Sequence, residues 1–139
     1  MTAVKAAVAE LIAADRRRGL ITRMVDISSA TAMRGLSAPP VVDPTSAAQN
    51  KLAIDRAFAA VKPVYLMLLG SRDVIPHQDL VNPVLEQDPT DDPVAWSDLP
   101  YACAAPYSRQ VADFIDPSRV VARLPDLTGA REPSHLLRL

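Results

Sequence analysis

Residues 64–70 read Val-Tyr-Leu-Met-Leu-Leu-Gly, an apolar run without a polar interruption, and the chain then turns abruptly polar through Ser-Arg-Asp-Val-Ile-Pro. A strand with one wet face alternates apolar and polar residues; a strand covered on both faces does not. The run therefore predicts the central strand of a mostly parallel, helix-flanked sheet, an α/β three-layer sandwich of the Rossmann-like kind. Pro63 and Gly70 bound it, so the strand is short and its exit is sharp.

The flanking segments fit such a sheet. Over residues 2–18, Val4, Val8, Leu11 and Ile12 share one helical face, and Arg16, Arg17 and Arg18 follow at the carbonyl end, where the helix dipole favours cations. Gly19 stops that helix. Residues 20–26, LITRMVD, predict a short strand ending in Asp26, and a proline-bearing loop follows. From Thr45 to Lys62 a second helix is expected, with Ile54, Phe58 and Val61 on one face and Pro63 as its stop. Strand, helix and strand in that order make a βαβ unit with a right-handed crossover.

Residues 71–118 hold no long periodic segment; within them YACAA (101–105) reads as a short edge strand. RVVARL (119–124) predicts another strand, and residues 128–139 begin a helix that is still under way at Leu139. The expectation is one domain over 1–139 or the N-terminal part of a larger one. The unfinished helix suggests a fragment, a processed subunit, or a tail that docks on another chain.

Composition narrows the function classes. Hydrophobic residues make up 49% of the chain, enough for a core, but aromatics only 4%, so Ala, Val, Leu and Ile must build it. A net charge of −1 supplies no long-range field for nucleic acid or for an anionic membrane. No apolar run approaches the roughly 18 residues that span a bilayer. The N-terminal charges follow the apolar stretch, opposite to the order in a signal peptide. A lone cysteine, Cys103, excludes an internal disulfide, and a cytoplasmic location is the expectation. With 4 glycines and neither a Gly-x-Gly-x-x-Gly nor a Gly-Lys-Ser/Thr motif, nucleotide binding ranks last. One cysteine and two histidines give no structural zinc site. Asp88, Asp91 and Asp92 offer oxygens to Ca²⁺ but lack the EF-hand spacing and glycine, so a solvated loop is the stronger reading and no cofactor is expected.

Ligands of open α/β sheets bind beyond the carboxyl ends of the strands. After Leu69 that rim holds Gly70, Asp73, Ile75-Pro76 and His77. Three segments here, VKPVYLMLLGSRDVIP (61–76), WSDLPYA (96–102) and DPSRVVARLPDLTGAREPSHLL (116–137), come in the order found in a known family. Together they resemble the gingipain-type (peptidase C25-like) cysteine peptidases of the caspase-like clan. Ser71 and Ala122 depart from it, standing where that family commonly has aspartate and glycine.

The resemblance implies a caspase-like fold and thiolate attack on a peptide carbonyl. It also implies that the catalytic His-Gly pair and cysteine come after the Arg-Leu-Pro strand and its helix, so this chain would hold no catalytic residue of its own. A C-terminal remainder or second chain would supply the dyad, and a peptide or protein would be the substrate. Asp98 would be the S1 acid that pairs with a basic P1 residue, unless it is a turn aspartate bonding its own backbone. Trp96 and Tyr101 would line the pocket or belong to the core. Cys103, in apolar YACAAPY, is a poor nucleophile because burial raises a thiol pKa. Arg123 is expected to hold a loop carboxylate as a structural ion pair. The alternative is a non-catalytic caspase-like module that serves as a scaffold.

Overall fold

The structure, a computed structural model, describes residues 2–130 and 132–138. Helix α1 (Thr2–Arg17) and helix α3 (Ala47–Val61) lie where the apolar periodicity predicts them. Between them, α2 (Ala30–Arg34) is one short helix within the predicted loop. Ser29 and Ser46 cap α2 and α3, each accepting a backbone N–H from three residues on, which satisfies an otherwise orphaned donor. Lys62, at φ 49°, ends α3 in a left-handed turn just before Pro63.

Strand β1 (Tyr65–Leu69) pairs in parallel with β4 (Val120–Leu124), Tyr65 opposite Val120 and Leu69 opposite Leu124. Between them in sequence lies an antiparallel pair, β2 (Gln78–Val81) with β3 (Val94–Ser97), followed by the four-residue helix α4 (Leu99–Ala102). The architecture is mixed α/β, with two sheets of two strands each among the described residues.

Four expectations need correction. Residues 20–26 form no strand: Leu20 to Met24 stay exposed, and no ladder partner reaches them. The βαβ unit built on that strand is therefore not seen; β1 takes its parallel partner from further along the chain instead. YACAA is not an edge strand. Tyr101 and Ala102 close α4, and only Cys103 makes an isolated bridge, to Pro117. Residues 128–139 hold only a 3₁₀ turn at Leu136–Arg138 among those described, Arg131 and Leu139 lying outside them. Pro133 lacks the N–H that a continuous helix through that point would use.

The expectation that β1 is covered on both faces holds for one face only. Leu68 packs with Ile54 of α3 and Tyr101 of α4, with Leu66, Ile75 and Val121 at the edge of that cluster. On the opposite face Tyr65 is 73% exposed, Met67 58% and Val120 56%. Alternate side chains of a strand point to opposite faces, so Leu66 and Leu68 point inward and Tyr65, Met67 and Leu69 share the other face. Two further clusters complete the core: Met33, Leu36, Val41, Ala53 and Ala57 beneath α2 and α3, and Leu80, Cys103 and Phe114 beneath the β2–β3 pair.

Candidate functional site

Beyond β1 the backbone turns at Gly70, whose φ of 118° suits glycine and strains other residues. A side chain there would also meet Val74, whose Cβ lies 3.0 Å from the position of an added Cβ. The Gly70 N–H bonds to Leu124 O at 2.9 Å, extending the parallel ladder by one residue. The carbonyl of Ser71 then accepts the N–H groups of Val74 and Ile75, which folds 71–75 into a tight turn.

Arg123, near the outgoing end of β4, holds this turn. Its Nη1 donates to the carbonyls of Gly70 and Ile75 at 3.0 and 2.9 Å. Its Nε and Nη2 donate to the two oxygens of Asp98 at 2.7 and 2.6 Å. The ion pair expected of Arg123 is present, and the three segments that carry the resemblance meet at this guanidinium. A planar fork of five donors suits that task, since it can satisfy two carbonyls and a carboxylate together. Both Asp98 oxygens are thereby engaged. The S1 role implied for Asp98 would require its carboxylate to exchange Arg123 for a substrate guanidinium, or to share itself between them.

His77 Nε2 lies 3.9 Å from Asp98, too far for a hydrogen bond but close enough for attraction when the imidazole is charged. Asp73 accepts from the Ser71 hydroxyl and, at 2.8 Å, from the Gly129 N–H. The hydroxyl above all, and then the N–H, hold its carboxyl below the usual aspartate value. This contact joins the turn after β1 to the turn after β4.

Asp73 and His77 line a cavity of about 310 Å³ together with Pro44, Arg72, Pro76 and Trp96. Asp98 is not on its wall. It borders a separate hollow of about 180 Å³ with Leu99, Ala102, Val121 and Arg123. Tyr101 reaches neither. It is fully buried, its hydroxyl donating to Pro76 O and accepting from Gln78 Nε2, both at 2.7 Å. Burial raises its pKa. Of the two readings of Tyr101, the core one describes its position: it supports the rim from below and offers no surface to a ligand.

Cys103 sits with Leu80 and Phe114, its thiol pointing to the Phe114 carbonyl at 3.6 Å, and burial pushes its pKa up. His77 turns towards Asp98 instead, so the two make no dyad. Asp26 accepts from the Ser28 hydroxyl and N–H, and its carboxyl is held low mainly by that hydroxyl. Asp88, Asp91 and Asp92 each accept a backbone N–H within one or two residues. No group of three or more metal-ligating side chains forms among the described residues.

One cluster escaped the sequence reading. Lys51, fully buried on α3, donates to both oxygens of Asp55 at 2.7 and 2.6 Å and to Cys103 O at 3.2 Å. Arg119 donates to the same Asp55 at 2.5 Å and stacks on Phe58, 4.5 Å from the ring centroid. The network ties α3 to the chain entering β4 and so fixes the approach of Arg123. Its only sequence signal was the i, i+4 spacing of Lys51 and Asp55.

No helix among the described residues is long and apolar enough to cross a membrane. Set against protein-family models, curated proteins and solved structures, the chain matches none of them.

Proposed function

We propose that this chain is the N-terminal portion, or a processed subunit, of a gingipain- or caspase-like cysteine endopeptidase. The rim beyond β1 and β4 is one wall of its peptide cleft. The histidine and cysteine come from polypeptide outside these residues, and the chemistry is thiolate attack, a thioester and hydrolysis. What supports this reading is the meeting of three resemblance-bearing segments at Arg123, at the carboxyl end of a parallel strand pair. Strand ends of that kind are where α/β folds place ligands.

The test is to treat the protein from its native source with a peptidyl acyloxymethyl ketone and map the alkylated residue. Labelling of a cysteine other than Cys103 is expected, and the isolated 139-residue chain is expected to hydrolyse no peptide. Absence of labelling in the native protein, or turnover by the isolated chain that survives Cys103→Ala, would refute the assignment.

A second reading is a non-catalytic module with the same fold, favoured by one observation: both Asp98 oxygens are already engaged in cis by Arg123. On that reading the rim is a binding surface without hydrolysis, and the native protein binds peptide yet resists labelling.

A further inference from the structure

The antiparallel pair beside the rim has two outer edges, and the chain treats them differently. Val81 stands opposite Val94, and Asp79 opposite Trp96. The Val81 N–H bonds to Arg109 O at 2.7 Å, so it points away from β3. Residue pairs of an antiparallel ladder alternate between bonded and non-bonded. Leu80–Ala95 and Gln78–Ser97 therefore close the ladder, while Val81–Val94 and Asp79–Trp96 turn their backbone groups outward.

Along the outer edge of β2 lies the chain itself. Arg109 accepts the Val81 N–H and donates its Nε to Asp79 O at 2.9 Å. On β3 the Val94 N–H is answered by the Asp92 carboxylate at 2.9 Å. The Val94 C=O and both the N–H and C=O of Trp96 have no hydrogen-bond partner among the described residues. Trp96 is 57% exposed, so this edge is open. Natural edge strands are commonly blunted by proline, lysine or a bulge, and Val-Ala-Trp-Ser carries none of these. Trp96 also borders the rim cavity with Pro76 and His77, which sets the open edge alongside the candidate cleft.

The chemistry of that edge names its occupant. An acceptor at Val94, then a donor and an acceptor at Trp96, spaced along an extended backbone, are the complement of a second extended backbone. A peptide in strand conformation meets them with two N–H groups and one C=O at the same two-residue repeat of about 7 Å. A helix spends those groups on itself. We propose that the open edge of β3 takes up an extended peptide as an added strand, its main chain held by Trp96 N–H and C=O and by Val94 C=O. The proposal rests on the reading of the rim as a peptide cleft and names the strand that grips the peptide's main chain.

The test follows the backbone amides of the isotope-labelled chain by NMR during titration with acetyl-Thr-Val-Thr-Val-Thr amide, an uncharged strand former. A saturable shift and slowed exchange of the Trp96 amide are expected, at a dissociation constant on the order of 1 mM. The amides of Ala95 and Ser97, already in the ladder, should keep their exchange rates. Trp96→Pro and Trp96→Ala both lose the indole, and only the first loses the outward N–H, at an edge position that tolerates proline. Trp96→Pro should bind roughly fivefold more weakly than Trp96→Ala. Binding that leaves the Trp96 amide unprotected would overturn the proposal, as would a lack of saturation or equal affinity of the two variants. Protection of Trp96 that grows with protein concentration, without peptide, would make the occupant a second copy and overturn it too. If a variant unfolds, the Trp96 amide of the unaltered chain still decides. Failure of the native protein to be labelled would remove the peptidase reading without touching the strand-addition result.

Discussion

Arg123 and Asp98, 25 positions apart in sequence, meet as a two-toothed pair, Nε to Oδ2 at 2.7 Å and Nη2 to Oδ1 at 2.6 Å. The same guanidinium closes the turn after β1 through the Gly70 and Ile75 carbonyls. Asp98 is thus tied to the end of the parallel pair. A double-mutant cycle with Arg123→Met and Asp98→Asn, read by urea unfolding, should give a coupling energy of roughly 1–3 kcal/mol. A coupling near zero would mean that the pair organises nothing. Arg123→Lys should restore little, because an ammonium lacks the fork.

Tyr101→Phe isolates one hydroxyl at the base of the site. Its loss leaves the Pro76 carbonyl and a Gln78 N–H without this buried partner. A destabilisation of about 1–3 kcal/mol is expected. The tyrosine also gives a pH dependence. Its folded pKa is raised by burial, so its contribution is complete below the unfolded value of about 10. Stability should fall as pH rises past that value, where the unfolded chain ionises first. Tyr101→Phe should flatten this alkaline slope; an unchanged slope would place the effect elsewhere.

Gly70→Ala tests the turn. Its φ of 118° and the contact with Val74 both oppose a side chain, and a loss of roughly 1–3 kcal/mol should follow. Val74→Ala in that background removes the Cγ contacts at 3.1 and 3.3 Å but keeps the Cβ contact at 3.0 Å, so it should recover only part of the loss. Full recovery would show that φ there is unstrained.

Asp55→Ala strands the fully buried Lys51 and the nearly buried Arg119. A cost of about 3–5 kcal/mol is expected, whereas Lys51→Met should cost much less. Equal costs, measured by thermal or urea unfolding, would contradict the view of Asp55 as the hub.

The legible parts of the fold were those whose signal is local. The stripe of Val4, Val8 and Ile12, the Pro63 stop after α3, and the apolar runs at 64–70 and 119–124 each reported an element at about its true place. The β2–β3 pair was missed because its strands are four residues long and thirteen residues apart, too short for periodicity to register. LITRMVD holds residues that favour strands, Ile, Thr and Val among them, yet a strand also needs a neighbour, and none reaches it. At the site, Arg123 announced a carboxylate partner but not which one. Trp96 and Tyr101 stand five residues apart, and only the third dimension sends one outward and the other wholly inside.

Whether the segment after Gly70 faces a peptide cleft is tested most directly by hydrogen exchange on the native protein, with and without a bound peptidyl aldehyde. Slowed exchange concentrated in residues 70–77 and 94–98 is predicted. Unchanged exchange in both segments, with the aldehyde bound and protection appearing elsewhere, would contradict the account.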